Sequence, residues 1–556
     1  MISGKRLLLE VLHQEGVDII FGNPGTTELP LIDALAVDDR IRYVLGLQEA
    51  TVMGMADGFA QGSGRLSVAS LHAAPGLGNA IGALHNAAKA GAPVLVTAGQ
   101  QDLSYNLTEP NLWGNLTRIA EPFVKWSYEI QRLADLPRAI HRAAKVALTS
   151  PTGPVFISLP ADLLNESGEV DSGKPTRVGP ALRADRDAIA AAASFIARAR
   201  SPVIVAGDAV AQSGAVKELV ALAEAIGAPV FLEGMPNRTP FPPTHGLFRG
   251  PLVRLAREIR SAMEKHDLVV SIGGDLFTLA LPGDADPMPP AKTIVHLDDN
   301  PWEIGKNYPT EVGLFGNPKA TLPELVEAVK VAMTEADRAR ANTRRVAEMA
   351  QGRAQLDKLV SQALELEPRR PVHPLALAYA LATSIPNDTV IVDEGITSVQ
   401  GLRRFLKSGD PHSYFGGRGG GIGWGMPAAV GIKLALRDRP MVALIGDGSA
   451  MYSVQALYSA ARERLQIVFV IANNASYRII KQRTHAVLGH AAQTGNYVGV
   501  DLTNPGLDHV SIARGFGVEA RKVSGITEFR DALAAGLARN APFLIEIEVE
   551  SGYKPL

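Results

Sequence analysis

The chain has 556 residues, enough for three or four domains that each bury a hydrophobic core. Lysine and arginine number 55 against 57 aspartate and glutamate, and the net charge of -2 lacks the basic surface of a nucleic-acid binder. Because the chain has no cysteine, disulfides, thiolate nucleophiles and cysteine-ligated metal sites are excluded.

The N-terminal segment and the hydropathy pattern both favour a cytoplasmic protein. Lys5 and Arg6 are followed by Glu10 before any apolar run of signal-peptide length. No stretch of 18 consecutive apolar residues occurs, which disfavours a membrane-spanning helix. We therefore expect neither a membrane nor a nucleic acid among the partners.

Short apolar runs alternate with helical periodicity along the chain. Such runs at 94–96, 155–157 and 203–205 predict an α/β fold with parallel sheets. A polar segment around 165–180 and a charged helical stretch at 334–365 are interpreted as linkers. The prediction is three doubly wound parallel-sheet domains, over residues 1–165, 184–333 and 370–556.

Three polar residues of the first domain follow predicted strands. Thr26 belongs to the segment Phe-Gly-Asn-Pro-Gly-Thr-Thr-Glu at 21–28, where Thr26 or Thr27 could cap a helix. Glu49 stands between an apolar strand and a helix, where an acid can simply favour the helix dipole. His72 follows another short strand and could be a structural residue. Taken singly, each has a structural explanation.

Two apolar strands of the third domain, at 442–445 and 467–472, end in small polar residues. The first leads into Asp447 and the Gly-Ser pair at 448–449, and the second leads into Asn474. Carboxyl ends of neighbouring parallel strands meet in one crevice. Asp447 and Asn474 then offer the hard oxygen ligands that Mg²⁺ prefers, and a helix beginning at the Gly-Ser pair would suit a phosphate.

A lone Gly-Asp-Gly is usually a turn, but here 24 residues separate Gly448 from Asn473, the first residue of an Asn-Asn pair. This combination resembles the signature of thiamine diphosphate enzymes, specifically the decarboxylase and carboligase group. The resemblance covers the whole chain and implies a pyrimidine-binding, a central and a diphosphate-binding domain, in that order. It also implies self-association into a homodimer or homotetramer, in which Glu49 and Asp447 of different subunits serve one cofactor.

The resemblance assigns ligands to both cofactors. Ile422 matches the bulky residue that wedges between the two rings of thiamine diphosphate, and Gly420 would face the pyrimidine. The metal ligands implied for Mg²⁺ are Asp447, Asn474 and the carbonyl of Ser476. The residues implied to contact thiamine diphosphate are Asn79, Thr397, Gly420, Ile422, Asp447, Gly448, Ser449, Asn474 and Tyr477.

The resemblance also gives catalytic roles to the first domain, whose segments at 21–30 and 71–80 are most similar to the benzoylformate decarboxylases. Glu49 matches the glutamate that shares a proton with the aminopyrimidine ring. Thr26, in place of the usual serine, would hydrogen-bond the substrate carboxylate. His72 would act as the acid and base that moves protons on the reacting substrate.

Several residues depart from that pattern. The second active-site histidine would fall near 277–281, where this chain has none, and His485 could take its place. Lys481 and Arg483 stand where an apolar aromatic residue is expected, and they could either form a solvated helix face or bind an acidic group of the substrate. The strand end at Asp298 resembles a nucleotide site, so FAD is possible but not favoured.

The expected activity is Mg²⁺- and thiamine diphosphate-dependent, non-oxidative decarboxylation of a 2-oxo acid to an aldehyde and CO₂, with a benzoylformate-like substrate. The alternative is a carbon-carbon carboligase or lyase of the acetolactate synthase or 2-hydroxyacyl-CoA lyase type. Arg483, the missing histidine and the Asp298 strand end keep this alternative open.

Overall fold

The computed structural model describes residues 1–398 and 401–552. It contains three six-stranded parallel sheets flanked by helices, which confirms the predicted fold class. Residues 553–556, the end of the third domain as predicted, lie outside the described residues. The apolar runs predicted as strands near 95, 156 and 204 are all buried strand residues.

The first domain is built around a sheet of order β3-β2-β4-β5-β7-β6, with the short antiparallel pair β1-β8 at its side. Its strands are β1 (Ile2–Ser3), β2 (Ile19–Gly22), β3 (Arg42–Leu45), β4 (Ser67–Leu71), β5 (Val94–Gln100), β6 (Ser127–Glu129), β7 (Val155–Pro160) and β8 (Ser167–Gly168). Its helices are α1 (Gly4–Gln14), α2 (Leu29–Leu35), α3 (Glu49–Ser63), α4 (Ala73–Ala90), α5 (Leu116–Ala120), α6 (Leu136–Leu148) and α7 (Ala161–Asn165).

The central domain has the sheet order β11-β10-β9-β12-β13-β14. Its strands are β9 (Pro202–Ala206), β10 (Val230–Leu232), β11 (Phe248–Pro251), β12 (Leu268–Ile272), β13 (Thr293–Asp298) and β14 (Val312–Phe315). Its helices are α8 (Arg186–Arg198), α9 (Asp208–Gln212), α10 (Val216–Ile226), α11 (Ala256–Met263) and α12 (Pro318–Ala332).

The third domain has the sheet order β16-β15-β17-β18-β20-β19. Its strands are β15 (Val390–Glu394), β16 (Tyr414–Gly416), β17 (Met441–Gly446), β18 (Val468–Asn473), β19 (Glu519–Val523) and β20 (Phe543–Glu548). Its helices are α14 (Pro374–Ser384), α15 (Leu402–Phe405), α16 (Gly425–Ala435), α17 (Asp447–Ala450), α18 (Ala456–Arg462), α19 (Arg478–Ala486), α20 (His490–Thr494), α21 (His509–Gly515) and α22 (Ile526–Leu537), with α13 (Glu335–Leu366) preceding them.

The charged stretch predicted to be helical is α13, which connects the second and third sheets. Its start is capped because the Thr334 hydroxyl accepts the amide of Asp337 at 3.2 Å while the Asp337 carboxylate accepts the amide of Thr334 at 2.9 Å. Few of its residues are buried. Across the described parts of the chain, every helix is too short or too polar to cross a bilayer.

In the first and third sheets, the strand order brings the residues that follow two neighbouring central strands to the same edge of the sheet. In the first sheet the chain leaves β2 toward β3 on one side and β4 on the other, so the ends of β2 and β4 form a switch point. The third sheet repeats this arrangement with β15 and β17. Ligands of doubly wound sheets bind at such switch points, which directs attention to the residues that follow these four strands.

Helices α3 and α16 join the first and third domains. Gly58 lies against the backbone of Ala428, and Gly431 lies against the carbonyl of Met55, so a side chain on either glycine would collide with backbone. The indole of Trp424 donates to Asp57 Oδ2 at 2.6 Å inside this contact. Burial raises the pKa of Asp57 to about 6, although this hydrogen bond favours the charged carboxylate.

Candidate active site

Glu49 is the first residue of α3 and lies beside the switch point of the first sheet. It is buried, with 7% of its surface exposed. Asn23 Nδ2 donates to its Oε1 at 3.2 Å, and Asn79 Nδ2 donates to its Oε2 at 3.0 Å. The helix N-terminus is capped by Gln48, whose side chain accepts the amides of residues 50 and 51. Two amide side chains therefore hold both carboxylate oxygens in place.

His72, at the end of β4, is held by a buried acid that the sequence analysis missed. Its Nδ1 lies 2.9 Å from Glu28 Oε2 and 3.0 Å from the Thr27 hydroxyl. The Thr27 hydroxyl donates to Glu28 Oε1 at 2.7 Å, and the amides of Gly25 and Gly99 donate to the same carboxylate. These partners assign the proton of a neutral imidazole to Nδ1 and leave Nε2 as the acceptor. A glutamate two residues after Thr26 was the only sequence signal.

Thr26 and Thr27 have different surroundings although they are adjacent. Thr27 is buried against His72, whereas Thr26 is exposed. Neither hydroxyl caps a helix, because Gly25 and Glu28 occupy the two N-cap positions. The imidazole of His72 lies directly over Gly25, so any side chain at 25 would collide with it. This glycine lets the turn that carries Thr26 approach the histidine.

His72 and Glu49 border the same small space. A β-carbon added to Gly76, on α4, would lie 3.3 Å from Glu49 Oε1 and 3.3 Å from His72 Cβ. The first-domain cluster therefore consists of Asn23, Thr26, Thr27, Glu28, Glu49, His72 and Asn79. The cluster thus combines the buried carboxyl group of Glu49 with His72. Glu28 contacts Nδ1 of this histidine and leaves Nε2 as an acceptor.

A second cluster lies at the carboxyl ends of β17 and β18, which are adjacent parallel strands as predicted. Asp447 follows β17, and burial raises its pKa. The amide of Ser476 donates to Asp447 Oδ2 at 3.3 Å. Asn474 Nδ2 donates to Ser398 Oγ at 3.0 Å, which leaves Asn474 Oδ1 buried without a hydrogen-bond partner among the described residues.

The second cluster fits a magnesium ion. Asp447 contributes a buried carboxylate, and Asn474 contributes an orphaned amide oxygen whose orientation is set by Ser398. The bridge between Ser476 and Asp501 uses the carbonyl of Ala475 and the amide of Tyr477, so the Ser476 carbonyl is not used by it. Such an all-oxygen donor set matches Mg²⁺, which completes its shell with phosphate oxygens and water.

Other predicted cofactor residues surround this cluster. Gly448 and Ser449 belong to the short helix α17, and the ring of Tyr477 packs on Gly448, where an added β-carbon would lie 2.5 Å from Tyr477 Cε1. Thr397 follows β15 at the switch point, and its carbonyl accepts Arg478 Nη1 at 3.0 Å. The structure thus brings Thr397, Gly448, Ser449 and Tyr477 together with the proposed metal ligands.

Gly420 and Ile422 lie in the loop 417–424, which is held at several points that sequence reasoning missed. Asn86 of the first domain donates to the carbonyl of Gly421 at 2.9 Å and accepts its amide at 3.1 Å. Glu394 accepts three consecutive amides, those of residues 423–425, at 2.8 to 3.1 Å. Burial raises the pKa of Glu394 to about 7. This loop is therefore positioned by both neighbouring elements.

The same loop is tied to the central domain through Arg418. Its guanidinium donates to Asp208 Oδ2 at 2.5 Å and to both oxygens of Glu233. These acids follow β9 and β10, at the edge where doubly wound sheets bind ligands. Burial raises the pKa of Glu233 to about 8, while Arg418 opposes that rise. Asp298, the predicted nucleotide-site residue, is buried at the end of β13, and burial raises its pKa to about 7.

Helix α19 carries Lys481, Arg483 and His485. Lys481 forms an ion pair with Asp501, whereas no ion pair of Arg483 occurs among residues 1–398 and 401–552. His485 lies in the last turn of α19. Segment 277–281 is a loop, and the central-domain histidines His266 and His296 are buried within their own domain.

Within one chain, the two clusters make their hydrogen bonds with separate sets of residues. Large apolar side chains next to each cluster are nevertheless exposed, including Leu47 beside Glu49, Ile396 beside Thr397 and Tyr452 near Ser449. Each cluster therefore borders an uncovered apolar surface.

Family models match the chain in three consecutive parts. The thiamine pyrophosphate enzyme N-terminal TPP binding domain matches residues 2–115, the central domain matches 189–325, and the C-terminal TPP binding domain matches 395–547. Together these matches span most of the chain.

Curated relatives and solved structures agree with these models. The chain is 34% identical to a benzoylformate decarboxylase of Pseudomonas aeruginosa over 98% of both chains. It is 28% identical to an acetolactate synthase large subunit of Parasynechococcus marenigrum, over 99% of this chain and 88% of that one. A thiamine diphosphate-dependent 4-hydroxybenzoylformate decarboxylase of Rhodococcus jostii superposes with a TM-score of 0.86 at 30% identity over 99% of each chain. A benzoylformate decarboxylase of Polynucleobacter necessarius gives 0.87 at 30% over the full length of both. The chain belongs to the thiamine pyrophosphate enzyme family.

Proposed function

We propose that this protein decarboxylates a 2-oxo acid to an aldehyde and CO₂ without oxidation, using thiamine diphosphate and Mg²⁺. The observation that carries the proposal is the pairing of His72 with buried Glu28 next to Glu49. A carboxyl group and an oriented histidine at one strand edge are what proton transfer to and from a bound substrate requires. The similarity to benzoylformate decarboxylases supports the same reaction class.

The residues of the chain would share the work as follows. Asp447, Asn474 and the Ser476 carbonyl would hold Mg²⁺. Gly448, Ser449 and Thr397 would hold the diphosphate, and Ile422 and Gly420 would contact the rings. Bound thiamine diphosphate would supply a nucleophilic carbon that adds to the keto carbon of the substrate, and a cationic ring that takes up the electron pair released with CO₂. Glu49 would exchange a proton with the bound cofactor, and exposed Thr26 would bind the substrate carboxylate. His72 moves a proton through Nε2 while Glu28 holds its other nitrogen.

Replacing Glu28 with Gln is expected to lower kcat on the order of 10- to 100-fold, because His72 loses the carboxylate that sets its proton on Nδ1. KM for the 2-oxo acid should change much less, since Glu28 does not face the substrate. Steady-state aldehyde formation measures both constants. Thr27→Val, which removes only the weaker hydroxyl contact, should have a smaller effect. A rise in KM at unchanged kcat would contradict the positioning role.

The second candidate is a carboligase or lyase. The absence of a histidine at 277–281 favours it, because the resemblance places there a group that helps to release the aldehyde. Similarity to acetolactate synthase large subunits points the same way.

A product assay separates the two candidates. The purified protein with Mg²⁺ and thiamine diphosphate is offered benzoylformate, pyruvate and a branched 2-oxo acid. Free aldehyde with stoichiometric CO₂ supports the decarboxylase. A 2-hydroxy ketone or an acyl-CoA-derived product with little aldehyde, or no turnover of the three acids, supports the carboligase or lyase.

We further propose that the active site forms between two subunits of a homodimer or homotetramer. The first-domain cluster of one chain would face the second cluster, in the third domain, of another chain. The separate hydrogen-bond partners of the two clusters and the exposed Leu47, Ile396 and Tyr452 support this arrangement.

A mixture of Glu49→Ala and Asp447→Ala variants is therefore expected to regain activity on subunit exchange. In a dimer, one of the two sites of a mixed pair then has both residues intact. Mixing equal amounts and measuring turnover over time, with exchange followed by a fluorescent label, gives the test. Inactive mixtures despite complete exchange would place both residues in one chain's site.

A further inference from the structure

Arg483 lies on α19, the helix that follows the second cluster in the chain. Helix α19 begins directly after Tyr477, whose ring packs on Gly448. Ile480 and Arg483 are three residues apart, so they are neighbours on the helix surface. Lys481 lies on another side of the helix and pairs with Asp501. Among the described residues, Arg478 and Arg483 of α19 both lack an ion pair, but Arg478 Nη1 donates to the Thr397 carbonyl.

Arg254 lies next to the ion pair that ties loop 417–424 to the central domain. The stem of Arg254 passes over Gly234, which directly follows the Glu233 that binds Arg418. Its carbonyl accepts the amide of Ala280 at 2.9 Å, and its Nη1 donates to the sulfur of Met235. Arg254 therefore lies against segment 277–281, where the resemblance places a missing substrate-site histidine.

The two guanidinium groups lack a counter-ion. Throughout the described residues, neither forms an ion pair, and Arg483 Nη1 is buried without a hydrogen-bond partner. Burial lowers the pKa of both groups, and the nearby charge of Arg483 lowers that of Arg254 further. A buried unsatisfied donor and a like-charge neighbour both cost free energy, and a bound anion would offset both costs. Guanidinium groups bind carboxylates and phosphates through paired hydrogen bonds.

We infer that Arg254 and Arg483 bind a second anionic group at the far end of the substrate, so that the preferred substrate is a 2-oxo acid with a distal carboxylate or phosphate. This inference rests on the proposed function, in which the 2-oxo carboxylate itself binds near Thr26. One arginine comes from the central domain and the other from the third domain, so the distal group would bind where these domains meet. The absence of an apolar aromatic residue at 483 follows from the same preference.

The substrate preference is tested with matched pairs of acids. We expect kcat/KM for 2-oxoglutarate to exceed that for 5-methyl-2-oxohexanoate, in which an isopropyl group replaces the distal carboxylate, by about 10- to 100-fold. The same should hold for 4-carboxybenzoylformate against 4-isopropylbenzoylformate. Arg483→Met and Arg254→Met should each remove most of this preference and lower the constant for the neutral acids much less. The double variant should lose little more than either single variant, since both arginines bind one group.

Arg257→Met is the matched control. Arg257 is three residues from Arg254 but is exposed and pairs with Asp284 at 2.6 Å, so its loss should leave the preference unchanged. Preference for the neutral acids in the unmodified protein, or an unchanged preference in Arg483→Met, would overturn the inference while leaving the decarboxylase proposal intact.

Anion binding gives a readout that does not depend on turnover. The holoenzyme, with its diphosphate site filled by thiamine diphosphate and Mg²⁺, is titrated with inorganic phosphate by calorimetry, and its Tm is measured with and without phosphate. We expect phosphate to bind and to raise the Tm, and both effects to disappear in Arg483→Met and Arg254→Met. Without phosphate, these variants should be at least as stable as the unmodified protein, because the repulsion between two like charges is removed. A lower Tm without loss of phosphate binding would show a structural role and overturn the inference. If no 2-oxo acid is decarboxylated, the proposed function fails and the substrate assignment fails with it, whereas phosphate binding still shows whether the two arginines form an anion site.

Discussion

Glu49→Gln is expected to lower the rate of decarboxylation on the order of 10²- to 10⁴-fold. Glutamine has the shape of glutamate and can still accept from Asn23 or Asn79, so the fold and cofactor binding should persist. It cannot share a proton with the pyrimidine ring, which is the role proposed for this buried carboxyl group. Aldehyde formation under saturating cofactor measures the loss, and the Tm checks the fold.

Two further variants sharpen this test. Glu49→Asp keeps the acid but withdraws it from its two asparagine partners, so we expect an intermediate rate. Glu129→Gln changes a partly buried carboxylate of the same domain that accepts Ser158 Oγ at 2.9 Å and belongs to neither cluster. Its rate should match that of the unmodified protein. Full activity of Glu49→Gln would exclude Glu49 as the activating residue.

The second large effect is expected at the proposed metal site. Asp447→Asn removes the only carboxylate among the proposed ligands, and Asn474→Leu removes the buried amide oxygen that has no partner in the described part of the chain. Loss of an outer-sphere partner typically lowers metal affinity about 10- to 100-fold. Both variants remove a direct ligand, so we expect a larger loss of Mg²⁺ affinity. Turnover should fall in parallel and recover only at high Mg²⁺. Calorimetric titration of chelator-treated protein at saturating thiamine diphosphate measures the affinity.

Ser398→Ala provides a graded control for this site. Ser398 only orients Asn474, through the hydrogen bond from Asn474 Nδ2 at 3.0 Å, so its loss should produce the smaller, outer-sphere effect. Unchanged Mg²⁺ affinity in Asp447→Asn would place the metal elsewhere in the protein.

The parallel-sheet architecture follows directly from local sequence pattern. Buried strands in such sheets are continuous apolar runs, and helices between them show their own periodicity, so each element is visible without its neighbours. For the same reason, Asp447 and Asn474 could be predicted to lie together, since each directly follows an apolar run. Glu49 and His72 also follow strands, but their catalytic roles were predicted only from the family resemblance, because each position has a structural explanation by itself.

The partners of these residues were decided by the tertiary structure. Glu28 reaches His72 only because β2 and β4 are neighbours, although the helices α2 and α3 and the strand β3 separate these two strands in the chain. Asn86 and Arg418 hold the loop of Gly420 and Ile422 through contacts between domains, which no local pattern reports. Their roles depend on sheet order and domain packing.

The two cations of α19 illustrate the limit most clearly. Lys481 and Arg483 are equivalent in sequence terms, as polar residues two apart in one helix. The sequence by itself determined that charge replaces an expected aromatic residue there. Only the fold brought Asp501 to Lys481 and Arg254 toward Arg483, because the neighbours of a side chain come from distant segments. That difference makes one cation part of a surface ion pair and leaves the other available for an anion.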